Sequence, residues 1–134
     1  MNTAATFWVQ STSYAVRSLT QHMHQDTADD GTATRRPTSG ALRLLLDVRP
    51  HDVLLPTWAY SPHLALPARV VFRPFGDLAQ ALTLTLEDAY CVGYEEHFEP
   101  GHAGGAPAFY CLVNVVARRI RKQGVDYVNP WPLP

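Results

Sequence analysis

The sequence predicts an all-β fold, a sandwich or small barrel carrying one short helix. Three observations lead there. Leu82, Leu84 and Leu86 alternate with Thr83, Thr85 and Glu87, the period of two that marks a half-buried strand. Ala108 to Ile120 is the longest extended-type run, rich in valine and aromatics. The 11 prolines and 8 glycines cut the chain into short extended pieces, with no repeat and no linker long enough to divide domains.

Along the chain, Phe7-Trp8-Val9-Gln10 reads as a short strand and Ser11-Thr12-Ser13 as a turn. Apolar residues return at Tyr14, Val16 and Leu19 before a polar run to Gln25, giving a strand with one exposed face. Asp26 to Pro37 is a polar loop. Ala41 to Val48 is apolar and extended, although its leucines alone would also suit a helix. Pro50-His51-Asp52 can start a short helix, with Leu54, Leu55 and Trp58 on one face. Pro56 confines that helix to a turn or two, or forces it to begin late, and Ser61-Pro62 ends it. Ala68 to Arg73 reads as a strand, followed by a turn at Pro74-Phe75-Gly76-Asp77. The leucine alternation of the next strand slips at Glu87-Asp88. A bulge there would lift Asp88 out and return Ala89 and Cys91 to the core. Gly101 to Gly105 is a hairpin connection and not a phosphate cradle, because a strand follows it. Residues 125–134 read as a tail.

Composition narrows the function classes. A chain of 134 residues predicts one domain, spanning 1–134, and 46% apolar with 17% charged residues is a globular balance. Eleven cations against 12 acids leave a net charge of −1, which argues against a dedicated nucleic-acid binder. Of the cations only Lys122 is lysine, and arginine suits planar contacts between proteins. No apolar run approaches the roughly 20 residues of a membrane span. Met1 to Thr6 lacks the basic start and hydrophobic stretch of a secretory signal. The expectation is a cytoplasmic chain, without membrane insertion, that another machine would have to export. Cys91 and Cys111 each sit inside an apolar run, which predicts buried free thiols and not a disulfide framework.

Three clusters could carry chemistry. His22, His24 and Asp26 share a strand face and could in principle gather a metal, but no second cluster completes a site; the simpler reading is a solvated face, with no metal. Glu95, Glu96, His97 and Glu99 put carboxylates beside an imidazole. Glu95 and His97 would share one face and Glu96 the other. With no nucleophile motif or oxyanion cradle, contacts to another chain explain them better than catalysis. Arg118, Arg119, Arg121 and Lys122 could touch phosphates, but salt links to acidic strands of a neighbouring subunit are at least as good an account. On a regular strand Arg119 and Arg121 would face away from Arg118 and Lys122.

Leu86-Glu87-Asp88-Ala89-Tyr90-Cys91-Val92-Gly93-Tyr94-Glu95-Glu96-His97-Phe98 resembles a strand signature of the haemolysin-coregulated protein (Hcp) family, in its TssD-like branch. Gly105-Ala106-Pro107-Ala108-Phe109-Tyr110-Cys111, Ala117-Arg118-Arg119-Ile120 and Tyr127-Val128-Asn129-Pro130-Trp131-Pro132 follow in the same order and spacing. The first half agrees more loosely, through Tyr14-Ala15-Val16, Gln25-Asp26-Thr27, the Gly31 loop, Arg36-Pro37 and the helix around Leu54 to Trp58. It departs at Pro56, around Thr32 to Thr34, and in the leucine-rich run from Ala41 to Val48.

The resemblance implies a small barrel of two packed antiparallel sheets with a flanking helix. It implies a structural subunit of the type VI secretion inner tube, a homohexameric ring stacked on others, with effectors in the lumen and with sheath, baseplate and spike proteins as partners. It implies no catalytic residues and no cofactor. Subunit contacts are expected at Asp29, Asp30, Arg35 and Arg36 in the 26–37 loop, at Glu95, Glu96 and His97, and at Arg118, Arg119 and Arg121. Two other readings stand beside it: the tube subunit of another contractile injection system, and a non-polymerising paralogue acting as effector carrier or adaptor. A small β-barrel enzyme or ligand carrier would need converging polar groups in a pocket, and the sequence offers no such set.

Overall fold

The computed structural model describes residues 5–22, 41–73, 81–101 and 105–128. Within them run β1 (Ala5–Val9), β2 (Thr12–His22), β3 (Ala41–Asp47), α1 (Leu54–Ala59), β4 (Leu66–Phe72), β5 (Leu82–Glu99), β6 (Ala108–Lys122) and β7 (Val125–Val128). All neighbouring strands are antiparallel, in the order β3-β2-β1-β4-β5-β6-β7. An additional pairing of β3 with β6 joins the ends of that order. The ladder therefore closes into a six-strand barrel, with β7 as a short addition to β6. The two sheets expected from the sequence are two sides of this continuous ladder.

Alternation fills the barrel. Phe7 and Val9, Leu42, Leu44 and Leu46, Val70, Leu84 and Leu86, and Val113 and Val115 are almost wholly buried. The leucine-rich run is β3, because its alternate leucines enter the core while Arg43 and Asp47 stay exposed.

β5 and β6 change face together. Their buried residues are two apart up to Leu86 on β5, then three apart to Ala89; on β6 the same break falls between Ala117 and Ile120. Leu86 pairs with Ile120 and Ala89 with Ala117, so both strands carry two extra-facing residues at the same level and stay in register. Against β4 the register does shift, because Leu66 pairs with Ala89 while Ala68 pairs with Leu86. Asp88 takes φ 51 to make the bend, lies exposed, and returns Ala89 and Cys91 to the core as the residue pattern predicts. A second slip lies between Cys91 and Gly93 and leaves Val92 62% exposed. Gly93 has no side chain because the Asn114 amide lies across it; a Cβ there would stand 2.6 Å from Asn114 Nδ2.

Two turns differ from the sequence reading. Thr12 already pairs with Val9, so the first turn is Gln10-Ser11, with Gln10 at φ 55 and its N–H donated to Pro67 O. The 125–134 stretch begins as a strand: Gln123 (φ 49) and Gly124 (φ 82) make a two-residue hairpin turn that lays Val125–Val128 on β6. The helix takes the late start that Pro56 allows, at Leu54, after a turn closed by Asp52 N–H donating to Arg49 O. Pro56 sits in the first turn, where a missing N–H costs nothing. Leu55 and Trp58 are the buried face, and the Trp58 indole N–H donates to both Leu64 O and Ala89 O at 3.1 Å. The hydrogen bond to Ala89 pins α1 to β5 where the β4 ladder ends.

Candidate functional site

β5 outruns its neighbour. β4 reaches only Ala89, so from Tyr90 to Glu99 β5 has a strand on its β6 side alone among the described residues. Alternation sorts the side chains there. Glu95, His97 and Glu99 share the outer face, and Glu96 turns to the other with Tyr94, as the spacing predicts. His97 Nε2 lies 3.0 Å from Glu95 Oε2, and its ring stacks on Tyr110 at 5.2 Å. Tyr110 donates its hydroxyl to Glu99, and Arg17 covers the Tyr110 ring at 4.5 Å while holding Asp47. Arg17 reaches both because it is the extra residue in β2, where the β3 register shifts between Val16 and Ser18. Glu96 accepts from the Tyr94 hydroxyl. Burial, then that bond, pushes the Tyr94 hydroxyl far above the ordinary phenol range.

Across the same rim, the β1–β2 turn, the end of β3 and the start of α1 bound an open groove of about 730 Å³. Tyr14 donates to Asp52 Oδ1 at 2.8 Å, and the Leu55 N–H donates to Asp52 Oδ2, so one carboxylate ties β2 to the helix start. Arg49 and His51 line the groove with no side-chain partner among the described residues. Neither Tyr14 nor Arg17 stands out in sequence, since their partners lie 30 or more residues away. Asp52 carries a weak local signal, three residues before the first buried helical leucine.

The arginine run is occupied within the chain. Arg118 Nε lies 2.6 Å from Asp88 Oδ2, and Arg118 and Arg119 each approach Glu87 at 3.7 Å. Neighbouring arginines reach one carboxylate because the shared bend suspends alternation at this level. The expected separation of Arg118 from Arg119 therefore does not hold. Arg121 Nε lies 2.8 Å from Asp126 on β7, and this bond holds the Asp126 carboxyl below its usual range.

The thiols of Cys91 and Cys111 are free and buried. Burial, then the nearby Asp52 and Glu96 charges, pushes Cys111 up to about 12, so it is inert as a nucleophile near neutral pH. No group of three metal-ligating side chains occurs among the described residues, and no helix there is long and apolar enough to cross a membrane. His24, Asp26, Asp29, Asp30, Arg35 and Arg36, with the rest of the 26–37 loop, lie outside the described residues.

The fold has solved counterparts. Hcp1 from Flavobacterium johnsoniae superposes with a TM-score of 0.79 at 19% identity, covering 94% of this chain and 99% of that one. Hcp1 from Salmonella typhimurium gives 0.62 at 13% identity, over 92% and 91%. A chain of the PVC sheath-tube complex, an extracellular contractile injection system in its extended state, gives 0.57 at 15% identity, over 92% and 90%. No curated protein matches the sequence. The profile of the family described as hemolysin coregulated protein Hcp (TssD) matches residues 1–132, the whole barrel and both rims, and the chain belongs to that family.

Proposed function

We propose that this chain is a structural subunit of the inner tube of a contractile injection system. In this reading 1–134 acts as one domain, closes with copies of itself into a hexameric ring, and stacks into a tube that a sheath propels. The family match over residues 1–132 carries the proposal. The superposition on a sheath-tube chain agrees with it, as does a surface whose polar clusters tie strands together. Type VI secretion is the system we favour, since the sequence resembles the TssD-like branch of the family and the matching family is described as Hcp (TssD). Effectors in the lumen, and baseplate and spike proteins at the tube end, are the further partners. The assembled subunit would be cytoplasmic and then secreted with the tube. The 26–37 loop, with Asp29, Asp30, Arg35 and Arg36, is the element we assign to ring stacking.

Light scattering on the purified chain, with negative-stain images of the same sample, tests this. Annular particles near six subunit masses are the expected result. A strict monomer at high concentration would overturn it in favour of the carrier or adaptor reading. Within a ring-forming chain, replacing Arg35 and Arg36 together by alanine should shorten stacks and leave rings intact.

A further inference from the structure

We infer that each copy of this chain seats the acidic end of its β5 in the Arg49–His51 groove of the next copy. The inference rests on the ring reading and supplies its contact. Three features of the barrel support it.

The first is charge. Glu95, Glu96 and Glu99 are matched only by His97 and by tyrosine hydroxyls, and no lysine or arginine pairs with them among the described residues. In the groove, Asp47 is held by Arg17, and Asp52 by Tyr14 and the Leu55 N–H. Arg49 and His51 are the groove groups left to meet a carboxylate. Arg118 and Arg121 do not compete, because Asp88 and Asp126 already hold them, and the Arg119 Nε is buried near Glu87.

The second is level. Asp47, Tyr110 and His97 lie in one row across β3, β6 and β5. Arg49 follows the end of β3 and Glu99 ends β5, so base and acid stand at the same end of the barrel. A head-to-tail contact that pairs unlike surfaces is what closes a ring.

The third is separation. The groove lies between the start of β2 and the end of β3, and the acidic edge lies on β5, with β6 between β3 and β5. One subunit therefore offers two unlike surfaces. The β5 edge also presents main-chain groups and the exposed Val92 and Phe98, which a neighbour would cover.

The test uses the full chain and two variants: an edge variant, Glu95→Lys with Glu99→Lys, and a groove variant, Arg49→Glu with His51→Glu. Mass is measured by light scattering across protein concentration, and circular dichroism checks the fold. Each variant alone should need at least about tenfold more protein than the parent to form rings. Mixed in equal amounts they should recover parent-like rings, because each reversed edge then meets a reversed groove. Rings that persist in either variant at parent concentrations overturn the inference and leave the ring reading standing. Variants that fall apart singly and stay apart when mixed overturn it as well. A monomeric parent overturns the ring reading, and the contact with it.

Discussion

The bend shared by β5 and β6 and the rim reached by β5 carry similar side chains in opposite circumstances. At the bend, two acids and two arginines lie across one ladder and are matched within the chain. At the rim, three acids outrun the neighbouring strand and, among the described residues, find an imidazole and phenol hydroxyls. Among the described residues, the bend has strands on both sides, whereas the rim of β5 has one. A charged strand segment with two neighbours is a structural tie, and the same residue types with one neighbour are a surface in search of another. Charge runs read from sequence cannot make that distinction, because it depends on where the adjacent strand stops.

Changes that probe this contrast span a wide range. Trp58→Ala removes the largest fully buried side chain and the donor that pins α1 beside the free edge, and should destabilise the fold by about 3–5 kcal/mol in chemical denaturation. At the bend, Asp88→Val should cost about 1–2 kcal/mol more than Asp88→Gly, since both lose the Arg118 pair but only valine resists φ 51. Equal losses for the two would mean that the ion pair, and not the backbone, holds the bend. At the rim, Glu95→Gln with Glu99→Gln should leave the stability of the isolated subunit within about 0.5 kcal/mol. A larger loss would make the rim a tie like the bend.

The smallest expected effect is a pH response at β7. Asp126 has its folded pKa lowered by Arg121, so its contribution is complete above the ordinary carboxylate pKa and fades as pH falls through the lowered value. Thermal melts of Asp126→Asn and the parent should differ slightly at neutral pH and converge in that acid window. A gap that widens in acid would contradict the assignment.

Local pattern carried most of the fold. Alternation located β5, and the break at Glu87-Asp88 located its bend, because burial of one face forces a period of two and an extra residue must show. The pairing of Glu95 with His97 apart from Glu96 followed from the same rule. What sequence spacing missed depends on distant segments. It separated Arg118 from Arg119 because nothing in β6 alone announces that the bend is shared. It took 125–134 as a tail because the four residues of β7 are too few to show a period. The groove was invisible since Arg17, Asp47, Tyr14 and Asp52 come from elements that meet only when the barrel closes.

That closure, made by β3 on β6, has a mechanical consequence. In an open sheet the outermost strand can be peeled away one hydrogen bond at a time, so a small pull finds a weak starting point. A closed ladder has no outermost strand among its six, and force applied along the barrel must shear several rows of bonds at once. A particle of this design passes an axial load on as a rigid body.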